Sequence, residues 1–240
     1  MSIHLVGGGW SAGLFAPFVR EANARAAVSS RLVPRIGVLL IADDAASGAA
    51  ARTAYSAMLT AAAPCDPVIT VLLRGAEAES TLLSDIDGLL VGGGLTPAYL
   101  EAILPLVDEI RLLIADGLPY LGFSAGAALA ADNAIIGGYR IGSVPVGAPD
   151  TGEGLDEVTV VEGLGLVDLS VDVHAAQWGT LARLVAATEA GIVPGGVAID
   201  EETVLIVGDG SLRVEGTGSV WRVTPGDGGI LVTTLGPDNE

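Results

Sequence analysis

The sequence predicts an α/β fold: a mainly parallel β-sheet flanked by helices on both faces, with extra C-terminal β-strands. Three observations predict it. Short apolar runs alternate with longer helical stretches through the first half of the chain. Strands dominate from residue 135 onward. The length of 240 residues, half of them apolar, suffices for one sizeable core, so we read 1–240 as a single α/β domain.

The elements follow in order. Residues 3–6 form a strand that ends in Gly7-Gly8-Gly9, and residues 12–27 a helix. Residues 36–42 are a strand and 45–62 a long alanine-rich helix. Strands at 68–73 and 87–91 follow, the second ending in Gly92-Gly93-Gly94. Residues 97–116 are helical, in one piece or two, and 120–124 is a strand with a sharp turn at its end. Beyond lie strands at 158–161, 169–173, 197–199, 204–207, 219–223 and 230–233, interrupted by a helix at 176–190. The Gly- and Pro-rich stretch 142–153 reads as a loop, and 197–205 as a hairpin-like strand–turn–strand.

Charge excludes several partners. The eleven basic residues are all arginine, and the formal net charge is −18. Nucleic acid and anionic membrane both need a basic surface, so neither is an expected partner. No apolar run reaches membrane-spanning length, and the start of the chain is strand-like rather than signal-like, so a cytoplasmic protein is expected. The single cysteine, Cys65, excludes an intramolecular disulfide and reads as a buried or incidental thiol. No Cys/His grouping has zinc spacing, so no metal or cofactor is expected. The apolar content is compatible with a homodimer without requiring one.

The most informative segment is Gly122-Phe123-Ser124-Ala125-Gly126. Composition alone would produce Gly-x-Ser-x-Gly about 0.3 times in this chain, so the pattern decides little without its placement. Here it falls between a buried strand and a run of helix formers. Small residues there let the backbone turn sharply and lift the serine hydroxyl above the sheet, beside a helix N-terminus. That placement suits a nucleophile, because fixed N–H donors must meet the oxyanion of a tetrahedral intermediate.

A general base is sought among only two histidines. His4 lies inside the first strand and reads as structural. His174 closes the strand 169–173 and precedes a helix, at the edge where ligands of such sheets bind. An orienting acid is needed as well. Asp172, two residues earlier on the strand, points the same way as His174 and serves either to orient it or to cap the helix. Asp200, Glu201 and Glu202 are further candidates, and composition does not choose among them. The chain order Ser, His, acid fits better than Ser, acid, His.

These residues together resemble the serine peptidase family that contains dipeptidase E and cyanophycinase. The likeness runs through both glycine runs, the segment Gly122–Ala127, Asp172-Val173-His174 followed by Arg183-Leu184, and Ala198-Ile199-Asp200-Glu201-Glu202-Thr203. The resemblance implies a flavodoxin-like sheet of the class I glutamine amidotransferase kind. It also implies Ser124 as nucleophile, His174 as base and Glu201 as orienting acid, with backbone N–H groups near Gly94 and Ala125 as the oxyanion hole. Small peptides, aspartyl or isoaspartyl among them, are the implied substrates. Several polar positions of the family depart here: Val173, Ala175, Trp178, Thr180 and Leu95 stand where it commonly has Gln, Phe, Arg, Arg and a polar residue. Substrate-contact candidates are therefore Arg183, Asp172, Trp178 and Gly93, with Arg140 and Arg74 behind them.

Other readings remain open on sequence. The same triad serves an esterase or amidase. The segment Gly7–Gly13 with Asp43-Asp44 partly fits a dinucleotide-binding pattern, although the glycine spacing is wrong. The lost polar residues also fit an inactive binding protein on this fold.

Overall fold

Alternation within the strands decides the layering. In the computed structural model, which describes residues 2–208, 210 and 212–236, successive apolar residues of each central strand enter opposite cores. Leu39, Leu89, Val91 and Tyr120 face one side, while Val38, Leu40, Leu90, Leu121 and Phe123 face the other. Such strands read as continuous hydrophobic runs because both faces are covered.

The elements in chain order are β1 (Ser2–Val6), α1 (Ala16–Val28), β2 (Arg35–Ala42), α2 (Ala45–Ala62), β3 (Asp66–Leu73), β4 (Gly88–Val91), α3 (Thr96–Ile103), α4 (Val107–Ala115) and β5 (Tyr120–Phe123). The five strands are parallel neighbours in the order β3-β2-β4-β5-β1. Helices α1 and α2 cover one face through Phe18, Val19, Tyr55 and Leu59. Helices α3 and α4 cover the other through Tyr99, Ile103, Ile110 and Ile114.

The remainder comprises α5 (Ala125–Leu129), β6 (Asn133–Gly137), β7 (Arg140–Ile141), β8 (Val144–Pro145), β9 (Thr159–Glu162), β10 (Ser170–Val173), α6 (Ala175–Trp178), α7 (Leu181–Glu189), β11 (Gly196–Ile199), β12 (Thr203–Gly208), β13 (Arg213–Gly216), β14 (Val220–Gly226) and β15 (Gly229–Leu235). Strands β12 and β13 extend the parallel sheet antiparallel beyond β1. A second sheet has the order β10-β11-β14-β15, with β10 and β11 parallel. Val171, Val173, Val197, Ile199 and Val220 of this second sheet share a buried cluster with Leu5 and Val91 of the first and with Ala125 of α5.

Several sequence expectations are corrected. The helix expected at 12–27 begins as a 3₁₀ turn, Ala12–Phe15, and becomes α-helical at Ala16, with Pro17 in its first turn. The helical stretch at 97–116, left open between one piece and two, is in two pieces, joined by a 3₁₀ turn around Pro105. That at 176–190 breaks at Gly179, whose φ is +73°. The loop at 142–153 contains β8 and a 3₁₀ turn, and β6, β7 and β13 were not anticipated. The segment 197–205 is not a hairpin. β11 belongs to the second sheet and β12 to the first, so the turn between them crosses from one sheet to the other. That crossing carries Asp200, Glu201 and Glu202 to the end of β1.

Candidate active site

The end of β1 is the hub. Val6 carbonyl accepts from Ser124 N–H at 2.9 Å, Gly7 carbonyl from His174 N–H at 3.0 Å, and Gly8 carbonyl from Glu202 N–H at 2.9 Å. Three chain segments far apart in sequence are thereby tied to three successive peptides. Gly8 has φ +124°, and a Cβ there would lie 2.6 Å from His174 Nδ1. Glycine at this position lets the imidazole lie against the backbone.

Ser124 sits between β5 and α5 with φ +51° and ψ −106°, a sparsely populated conformation for a residue with a side chain. The flanking glycines are sterically required. A Cβ on Gly122 would meet the Gly126 backbone, and one on Gly126 would meet the Val91 carbonyl. The strained turn aims Oγ at the histidine: Ser124 Oγ lies 2.8 Å from His174 Nε2. On the other side of the ring, His174 Nδ1 lies 2.7 Å from Glu201 Oε1. His174 is itself left-handed, φ +56°, as the chain turns from β10 into α6. Burial pulls its imidazole below the ordinary value, against the opposing pull of the Glu201 hydrogen bond and charge. Trp178 stacks on this ring with centroids 3.9 Å apart and planes 9° from parallel.

The three adjacent acids at the sheet crossing do three different things. Asp200 accepts from the N–H groups of Ala176 and Ser219 and from Trp221 Nε1, each at 3.0 Å, which holds α6 against the second sheet. Glu201 meets His174, and its own N–H donates to Gln177 Oε1 at 2.9 Å. Glu202 accepts from Trp10 N–H at 2.8 Å. A carboxylate thus holds an N–H of the loop after β1, where the dinucleotide reading requires a pyrophosphate.

The candidate substrate contacts divide. Arg183 and Asp172 form a buried bidentate pair, Nε to Oδ2 at 2.8 Å and Nη2 to Oδ1 at 2.7 Å. Arg183 Nη1 donates to the carbonyls of Gly138 and Thr151. The grip on a substrate carboxylate expected of Arg183 is therefore met inside the protein, and Asp172 does not turn to His174. Arg140 pairs with Asp156 and Glu157, and Arg74 with Asp43. Trp178 lines the cleft and is 44% exposed. Gly93 also lines the cleft, with its N–H and carbonyl engaged by Tyr55 and Tyr99. The N–H of Ala125, the first residue of α5, makes no hydrogen bond to the described residues, nor does that of Gly94.

The cleft over Ser124 has a volume of about 720 Å³. Its walls include Trp10, Tyr55, Phe123 and Leu95, with Asp150 and Glu153 at one side. Trp10 was missed in the sequence; it lies 5.2 Å, centroid to centroid, from both Tyr55 and Phe123. Its only signal was an aromatic residue directly after a glycine run at a strand end. Elsewhere, His4 is fully buried, edge-on to Phe18 and 3.4 Å from Glu21. Cys65 is half-buried, its thiol pushed up to about 11 by burial. Among the described residues no three His, Cys, Asp or Glu side chains gather to hold a metal, and no helix is long and apolar enough to cross a membrane.

The fold and this geometry define a class: an α/β protein with serine, histidine and glutamate in hydrogen-bonded sequence at the carboxyl edge of a parallel sheet, the arrangement used by serine hydrolases. The chain belongs to peptidase family S51, whose model matches residues 53–215. It is 36% identical over 171 residues to a cyanophycinase of Synechococcus elongatus, an alignment covering 66% of this chain and 50% of the relative. The chain spans about half the length of the curated relatives it matches. Its fold is similar to that of a peptidase from an acI-B1 Actinobacterium, with TM-score 0.67 and 16% identity over 99% of this chain and 95% of the other. It is also similar to a putative peptidase E protein from Listeria monocytogenes EGD-e, with TM-score 0.54 and 16% identity over 90% of this chain and 98% of the other.

Proposed function

We propose that this protein hydrolyses small peptides through an acyl-enzyme on Ser124. The observation that carries the reading is the hydrogen-bonded sequence Ser124 Oγ, His174 Nε2, His174 Nδ1, Glu201 Oε1, at 2.8 and 2.7 Å. Ser124 Oγ attacks the scissile carbonyl carbon while His174 Nε2 takes its proton. Glu201 holds the Nδ1–H tautomer and stabilises the imidazolium, with the Trp178 face alongside. The N–H groups of Ala125 and Gly94 meet the oxyanion. Collapse of the intermediate expels the amine, which takes the proton from His174. A water then repeats the sequence to release the acid and restore Ser124.

The side chain taken at the cleavage site follows from the walls. An aspartyl or isoaspartyl group, the class the family resemblance implies, wants a charge-assisted donor. Among the described residues no arginine lines this cleft. Glu153 does, with its carboxyl raised by burial and one oxygen accepting from Thr96 N–H at 3.0 Å. We therefore infer that peptides with apolar or cationic residues beside the scissile bond are preferred to acidic ones. The test has two stages. A fluorophosphonate adduct on the wild-type protein, absent from Ser124→Ala, supports the nucleophile, whereas its absence on folded wild type favours an inactive binding protein. A dipeptide panel then compares Leu-, Arg-, Asp- and isoaspartyl substrates, and a higher kcat/KM for the acidic members contradicts the specificity.

A further inference from the structure

The glycine run at the end of β4 is held from both faces of the sheet by tyrosine hydroxyls. Tyr55, on α2, lies in one core, and Tyr99, on α3, in the other. Consider the two peptide planes in turn. The Gly92–Gly93 plane is fixed at both ends: its carbonyl accepts from Gly126 N–H at 3.1 Å, and its N–H donates to the Tyr55 hydroxyl at 2.8 Å. The Gly93–Gly94 plane is fixed at its carbonyl, which accepts from the Tyr99 hydroxyl at 3.1 Å. In a trans peptide the C=O and N–H of one plane point in opposite directions. Pinning the Gly93 carbonyl to Tyr99 thus turns the Gly94 N–H the other way.

The Tyr99 hydroxyl has no freedom to change role. It accepts from Ile41 N–H at 3.1 Å, which leaves its proton for the Gly93 carbonyl. Burial raises that hydroxyl to about 12, so it remains a donor throughout the neutral range. The fit is tight: a Cβ on Gly92 would lie 3.0 Å from the Tyr99 hydroxyl oxygen and 3.2 Å from that of Tyr55.

We propose that Tyr99 and Tyr55 are positioning residues that aim the Gly94 N–H as an oxyanion donor. The inference rests on the reading of Ser124 as nucleophile and Gly94 as donor. Neither tyrosine hydroxyl touches the reacting atoms in this account; each acts through the backbone of the glycine run.

The experiment is the rate of fluorophosphonate labelling as a function of probe concentration, for wild type, Tyr99→Phe and Tyr55→Phe, with thermal midpoints measured alongside. In labelling, Ser124 Oγ bonds to phosphorus, fluoride leaves, the serine proton passes to His174, and the phosphoryl oxygen needs the oxyanion donors. Loss of a whole donor costs about 10²–10³ in rate, so misdirecting one by deleting a hydroxyl is expected to cost about 10–100-fold in the limiting rate. The half-saturating concentration should stay within about twofold, because the probe's ground-state contacts are unaltered. A limiting rate equal to wild type in Tyr99→Phe, whatever its midpoint, overturns the inference and leaves Ser124 as nucleophile. Should Tyr99→Phe fail to fold, the same comparison on Tyr55→Phe decides. No adduct on folded wild type removes both the nucleophile reading and this one.

Discussion

The end of strand β10 carries two carboxylate partnerships, begun two residues apart, that have opposite characters. Asp172 and Arg183 are 2% and 5% exposed, joined by two short hydrogen bonds, and the remaining groups are taken by Val173 N–H and two carbonyls. His174 is buried too, yet its partner Glu201 is 32% exposed at the side chain, and the outer nitrogen of the ring points to a hydroxyl at the cleft. The first pair is closed, with each of its side-chain nitrogen and carboxylate oxygen atoms hydrogen-bonded inside the protein. The second is open at one end, so its proton has somewhere to go. Burial alone therefore does not single out a candidate catalytic group; a hydrogen-bond chain that leads from the buried group out to a cleft does.

The comparison breaks most decisively at the open pair. His174→Ala is expected to slow fluorophosphonate labelling of Ser124 by about 10³-fold with a thermal midpoint near wild type, since a general base contributes about 10²–10⁴. A rate within threefold of wild type would remove His174 from the chemistry. Glu201→Gln should cost about 10²-fold, because the tautomer is held less well.

The closed pair should show the converse. Arg183→Met leaves the Asp172 carboxylate buried without its partner and is expected to cost about 3–5 kcal/mol of stability. Urea unfolding measures this, and the double variant Asp172→Leu/Arg183→Met should recover much of the loss. Loss of labelling in the folded Arg183→Met protein without loss of stability would mean that the pair belongs to the site.

Two smaller effects sharpen the contrast. His174 acts as a base only when neutral, and burial holds its pKa below the ordinary imidazole value. The labelling rate should therefore rise with pH through a midpoint below the ordinary imidazole value and level off above it. Since Glu201 raises that pKa, Glu201→Gln should move the midpoint lower still. A midpoint moving upward in Glu201→Gln would contradict the electrostatic assignment. Trp178→Ala should slow labelling by only several-fold, as it removes the stacked face without touching the hydrogen bonds.

Much of this was legible in the sequence, for reasons that differ by residue. The parallel sheet showed itself because apolar runs bounded by glycine alternate with alanine-rich stretches. Ser124 and His174 followed from their positions at strand ends and from the scarcity of histidine. Glu201 did not follow from the residues; Asp200, Glu201 and Glu202 are alike in type, and only the family resemblance chose among them. Their separate tasks arise from a crossing between two sheets, which strand periodicity does not encode. The same blindness turned β11 and β12 into a hairpin. Arg183 looked available because a sequence does not reveal that Asp172, eleven residues earlier, is pressed against it. The contacts of Tyr55 and Tyr99 to the glycine run were invisible because an aromatic on an amphipathic helix reads as core; their hydroxyls bond to backbone.

The central claim is that Ser124 is an activated nucleophile, and intact mass with peptide mapping after fluorophosphonate treatment tests it most directly. The expected result is one adduct per chain, located on Ser124, and none on Ser124→Ala. An adduct elsewhere, or none on folded wild-type protein, would contradict the account.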